Sequence, residues 1–223
     1  MSNKKKVYVY QGFERFWHWN QALLIFVLAF TGFEIHSSYE FFGFESAVRI
    51  HNFAAWAFIV LIIFAIFWHI TTGEWKQYVP TTKNLKAQAE FYLLGIFRNA
   101  PHPTKKTVIS KLNPLQRLVY LGLKILVIPV MVLSGLLFMF YRYPQDDKIA
   151  FINIDSLEVI ALIHTAGAFA LLAFILVHLY LITTGHTITS NLNAMITGWE
   201  ELDEEDDETE KIVEKSATEN END

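Results

Sequence analysis

Two histidines, His164 and His178, share one apolar stretch, residues 160–185, which reads IALIHTAGAFALLAFILVHLYLITTG. They are 14 residues apart. On an α-helix at about 100° per residue, that spacing returns to within about 40° of the same face, about 21 Å further along the axis. Ionisable side chains inside a membrane segment are costly and by default mark function. A neutral imidazole is also a common metal ligand. One helix therefore presents two candidate ligands on one side, at two depths.

Such a helix needs a membrane bundle around it. The chain has 223 residues, 52% hydrophobic and 18% charged, with a mean hydropathy of +0.26. That is more apolar and less charged than an ordinary soluble domain, and the excess falls in four runs, at 17–33, 50–70, 118–140 and 160–185. Each is long enough to approach or reach a bilayer span. There is no cysteine, which excludes thiolate-bound Fe–S clusters, covalent c-type haem, disulfides and thiol catalysis within this chain. Lys4, Lys5, Lys6 and Arg15 precede the first run like a signal peptide, but no small-residue cleavage site follows. An uncleaved first helix is expected, with Trp17 and Trp19 in the interfacial belt.

Between the second and third runs, residues 84–97 carry Leu85, Ala89, Tyr92, Leu93 and Ile96 at helical spacing. This predicts an amphipathic surface helix, ended by Pro101 and Pro103. In the third run, Pro129 and Ser134–Gly135 predict a kink or a close helix approach, and Lys124 can snorkel to the surface. Residues 200–210 are acidic everywhere except Leu202 and Thr209, so 187–223 is expected to be a solvated, largely disordered tail after a membrane domain over 1–186. Twelve Lys and Arg fall in the N-terminus and the 71–117 connection, against Arg49, Arg142 and Lys148 in the other two loops. The positive-inside rule then places both termini and the long connection in the cytoplasm. The expected fold is all-α: an integral four-helix bundle with a cytoplasmic amphipathic helix between spans two and three.

With this topology the histidines sort by depth. His51 opens the second span on the outer side, level with His164. His18 opens the first on the inner side, level with His178. Bis-histidine haem needs two imidazoles from different helices at equal depth, so the pairs would be His51 with His164 and His18 with His178. His69 is 18 residues from His51 and faces the same way, about 27 Å away. It is the alternative inner ligand, or a contact to a haem propionate or quinone. A single histidine at a helix end is usually just an interfacial polar group, whereas four at two matched depths form a pattern. A histidine-lined transporter of Zn, Cu or Ni is the rival, but it would more often add acids within the spans. His36, His102 and His186 read as surface histidines. Asn113-Pro114 by itself reads as a helix N-cap followed by Pro at the first helical position.

The sequence resembles the di-haem cytochrome b subunits of bacterial respiratory enzymes, including the formate dehydrogenase gamma subunit, the nickel–iron hydrogenase b-type cytochrome and the thiosulfate reductase cytochrome b subunit (cytochrome b561-like proteins). The likeness spans about residues 14–185. It rests on Arg15-x-x-His18-Trp19, Thr31-Gly32, His51, Asn113-Pro114-Leu115-Gln116-Arg117 and the His164/His178 pair. It implies two haem b groups as cofactors, held as His51–His164 and His18–His178, and quinone exchange near the inner haem at the asparagine matching Asn113. Asn113 and Gln116 could supply hydrogen-bond donors to a quinone carbonyl. The expected function is transmembrane electron transfer between menaquinone or ubiquinone and a partner subunit, in the bacterial inner membrane. Because this chain has no recognisable substrate site, catalysis is assigned to a periplasmic partner, an Fe–S protein or a multihaem c-type cytochrome. Nucleic acid is not an expected partner. A stand-alone cytochrome b561-type oxidoreductase is the alternative within the redox class.

Overall fold

The computed structural model describes residues 4–98, 100, 103–104, 106–107, 110–142, 157–185 and 187–203, with 141–142 as backbone only. His102, His186, Lys148 and the acidic tail from residue 204 lie outside the described residues. Two compact units form. One comprises Trp17–Phe67 and Gly122–Tyr180; the other comprises Met1–Phe16, Trp68–Leu121 and Leu181–Asp223.

The first unit takes most of each apolar helix, and the helix residues before Trp17, after Phe67, before Gly122 and after Tyr180 belong to the second. Helix α1 runs Gly12–Ile35, α2 runs Phe44–Thr72, and the third span starts as α4 (Pro114–Gly122, following a short α3 in the other unit at Leu85–Glu90) and continues as α5 (Ile128–Arg142). Helix α6 runs Leu157–Ile182. All four spans are long and apolar enough to cross a membrane. The first two begin earlier than the apolar runs, for local reasons. Glu14 accepts the Gln11 N–H at 2.7 Å, half of a capping box. At the start of α2, one oxygen of Glu34 accepts the N–H groups of Phe41, Phe42 and Gly43 at 2.6–2.8 Å. This gathers the loop into a turn that ends at Gly43, in the left-handed region at φ 80°, where a side chain would be strained.

Leu123–Val127 between α4 and α5 is a π-turn. Pro129 follows it and has no N–H for the Ile125 carbonyl, and its ring crowds that carbonyl, so the helix widens there. Lys124, in the wide turn, lies 5.2 Å over the Trp17 ring. Large apolar side chains such as Phe26, Ile63, Phe64, Leu162 and Leu176 stay exposed, as lipid-facing positions require.

The second unit contains structure that hydrophobic periodicity did not predict. Strand β1 (Lys4–Tyr8) pairs antiparallel with β2 (Trp199–Asp203), in register from Lys4↔Asp203 to Tyr8↔Trp199. Helix α7 (Ser190–Thr197) leads into β2 through Gly198 at φ 88°. The stretch expected to be a solvated tail from 187 is therefore folded to Asp203. The strand register sets Glu201 opposite Lys6, Lys106 bonds Glu200 at 2.6 Å, and Leu202 is buried. Burial would lower the Lys106 ammonium, but Tyr10 and Glu200 outweigh it and hold it above its ordinary value. The amphipathic segment is helical over Leu85–Arg98, with α3 followed by a π-turn and a 3-10 turn. It buries Gln88 and exposes Leu93, Leu94 and Phe97. Those exposed side chains differ from the face expected from the sequence, of which only Leu93 is outward.

Candidate functional site

In the helical unit the four histidines meet in two pairs. The rings of His51 (α2) and His164 (α6) have centroids 6.4 Å apart and planes inclined by 68°. Those of His18 (α1) and His178 (α6) are 6.1 Å apart and inclined by 60°. These distances can be tested against a shared metal. About 2 Å from each nitrogen to a metal, plus about 1 Å from nitrogen to ring centre, puts two trans imidazole centroids about 6 Å apart. Both pairs fit. Among the described residues no group of three or more His, Cys, Asp or Glu is placed to hold a metal ion. Zinc takes three or four protein ligands, whereas a haem would need only the two histidines of a pair from the protein. The donor set suits haem.

The surroundings of the pairs differ. Thr31 Oγ1 stands 2.9 Å from His51 Nδ1, and Ser134 Oγ stands 2.9 Å from His164 Nδ1. His18 and His178 have aromatic neighbours: Trp19 edge-on to His18 at 5.4 Å and Phe174 stacked on His178 at 5.7 Å. His36 is exposed and reaches Thr165 at 3.4 Å. It stands in neither pair.

The other unit holds His69, Asn113 and Gln116. His69 is buried, packs edge-on against Trp68 and lies 3.3 Å from the Tyr78 hydroxyl. The rings it meets are those of Trp68 and Tyr78. His69→Phe should therefore leave haem content unchanged; a lost haem in that variant would make His69 a ligand. Burial pushes the Tyr78 phenol up, reinforced by Glu14, Tyr120, Glu74 and Tyr10, so Tyr78 keeps its proton at neutral pH. Close by, Lys111 Nζ bonds Glu14 at 2.9 Å and Glu74 at 3.0 Å. The sequence carried no signal for this buried triad, because its members lie far apart along the chain.

Asn113 and Gln116 close a reciprocal capping box. Asn113 Oδ1 accepts the Gln116 N–H at 2.9 Å, and Gln116 Oε1 accepts the Asn113 N–H at 3.1 Å, with Pro114 at the first helical position. The Asn113 amide nitrogen is also used: it donates to the Tyr92 hydroxyl at 2.9 Å. Burial raises the Tyr92 phenol above its ordinary value. The amide nitrogen of half-buried Gln116 has no partner among the described residues. Gln116 thus offers both N–H donors of its amide, and Asn113 keeps one of its two.

Two comparisons bear on this geometry. The family described as "Prokaryotic cytochrome b561" matches residues 9–198. A protein of Escherichia coli (strain K12) named "Putative cytochrome YdhU" is 32% identical over 209 residues, covering 87% of this chain and 75% of that protein.

Proposed function

The chain belongs to the prokaryotic cytochrome b561 family, and from that premise we propose that it carries electrons through two b-type haems between the quinone pool and a partner redox subunit. It is a multi-pass membrane cytochrome, and its family membership implies haem b and transmembrane electron transfer. The observation behind the two-haem reading is the presence of two facing histidine pairs, at 6.4 and 6.1 Å, that share helix α6. When bound, haem b supplies one-electron exchange at its iron. The protein holds the ligands about 21 Å apart along α6 and keeps the site among apolar helices that exclude water.

A quinol becoming quinone releases two electrons and two protons, so its site needs a donor to a carbonyl oxygen and a proton exit near the surface. The Gln116 amide nitrogen is that donor, and Asn113, held by Tyr92, fixes the turn that aims it. The bias of Lys and Arg supports placing this end and both termini at the cytoplasmic side of a bacterial inner membrane. The quinone is menaquinone or ubiquinone. The partner docks on the opposite side and is an Fe–S protein or a multihaem c-type cytochrome.

A pyridine haemochrome assay on the purified protein tests the reading. About two b-type haems per chain are expected from two axial pairs. No haem, with zinc or copper bound instead, overturns it in favour of a metal carrier. Gln116→Glu tests the quinone role, because glutamate keeps the capping oxygen and removes the N–H donor. Quinol-driven haem reduction should slow by about tenfold, the scale of one lost hydrogen bond, at unchanged haem content. Unchanged turnover would leave Gln116 a helix cap only.

A further inference from the structure

Thr31 and Ser134 stand in matching positions on different helices. Each precedes a glycine, Gly32 and Gly135. Each hydroxyl lies within hydrogen-bond reach of the carbonyl four residues back, Val27 at 2.8 Å and Val130 at 2.6 Å. Each is also 3.3 Å from the carbonyl three back, Leu28 and Met131. Each then meets the Nδ1 of one histidine at 2.9 Å, His51 for Thr31 and His164 for Ser134. The glycines complete the pattern. A Cβ on Gly32 would lie 3.7 Å from His51 Cε1, and one on Gly135 would lie 3.2 Å from His164 Cε1. The second is closer than side-chain carbons normally approach, so the bare backbone leaves room for the ring.

This arrangement accommodates the tautomer that a metal on Nε2 requires. A hydroxyl has one hydrogen, and a carbonyl oxygen can only accept. With that hydrogen on Val27 or Val130, the hydroxyl oxygen accepts from the imidazole, so Nδ1 carries the hydrogen in both rings. Nε2 is then the unprotonated nitrogen, the form a metal requires. An imidazole that donates its remaining N–H to an oxygen is a more electron-rich ligand, and such partners orient the ring and tune the metal.

We propose that Thr31-Gly32 and Ser134-Gly135 are a matched pair of positioning elements that lower the reduction potential of the haem held by His51 and His164. The inference rests on the two-haem reading above. The His18–His178 pair has Trp19 and Phe174 against its rings. The downward push at the His51–His164 end inclines the protein to pass electrons from that end towards His18–His178, the direction of quinone reduction by an external donor.

The test is a spectroelectrochemical titration of the purified holoprotein, with the two haem steps assigned by comparison with His178→Ala, which should retain only the His51–His164 haem. In Thr31→Val and Ser134→Ala the His51–His164 step should move to higher potential while the other stays in place, and the double variant should move it further. Thr31→Ser and Ser134→Thr, which keep the hydroxyl, should behave as wild type. If Thr31→Val sheds one haem and Thr31→Ser keeps it, the hydroxyl is still shown to hold the ligand. Unmoved steps in haem-replete variants, or equal changes in the valine and serine variants, overturn the proposal. Failure of the two-haem reading would instead appear in the wild type, as a haem count below two.

Discussion

His178→Ala is expected to reduce haem content from about two per chain to about one, because the proposed His18–His178 pair would lose one of the two imidazoles that would hold its haem. The retained haem should be the one between His51 and His164, whose rings meet 6.4 Å apart on their own pair of helices. Reduction from a donor on that side should persist, while quinol-linked reduction should be abolished. The change is local. His178 leans on Phe174, on its own helix, and alanine is the best helix former, so α6 should remain intact. Haemochrome content and a dithionite-reduced-minus-oxidised spectrum report the result together. A purified variant that keeps both haems would show that His18 is not paired with His178, and the pairing would have to be redrawn.

Lys111→Met should be the most destabilising single change in the second unit. The Lys111 side chain is 7% exposed, and its partners Glu14 and Glu74 are 13% and 26% exposed. Removing the cation leaves two carboxylates facing each other in a largely dry site. Breaking one member of a buried ion cluster costs about 3 kcal/mol or more; the partial exposure of Glu74 argues for the lower end. In a chain of this size that corresponds to a fall of roughly 6–12 °C in Tm, readable by far-ultraviolet circular dichroism in detergent. Lys86→Met is the control. Its pair with Glu90 spans 3.7 Å between side chains 91% and 63% exposed, and exposed pairs contribute little, so its Tm should barely move. Equal effects in the two variants would show that the Lys111 cluster is solvated.

The two changes separate what each unit does. His178→Ala should remove one haem and leave the fold, whereas Lys111→Met should weaken the fold of the unit that carries Asn113 and Gln116. Glu14 links the triad to local sequence, because it also caps the start of α1 through Gln11.

By itself, the sequence determined the membrane class, the four spans and the pairing of histidines by depth. Apolar run length and helical period are local properties, and two ligands 14 residues apart on one helix declare a shared face without any knowledge of neighbours. The N-cap at Asn113 was legible for the same reason, since it stands directly before Pro114, while its reciprocal bond with Gln116 came from the structure. Only the tertiary structure decided the rest. Strand β1 gave no sign of its partner nearly two hundred residues away, because a five-residue strand is specified by what it pairs with. The acidic run up to Asp203 read as a solvated tail because sequence shows its charge but not the lysines that face it. Thr31 read only as part of the motifs behind the resemblance, and Ser134 as part of a kink or close helix approach. Their hydroxyls take on a role only where folding brings them 2.9 Å from His51 and His164, since a hydrogen bond depends on position in space and neither partner's place in the chain predicts it.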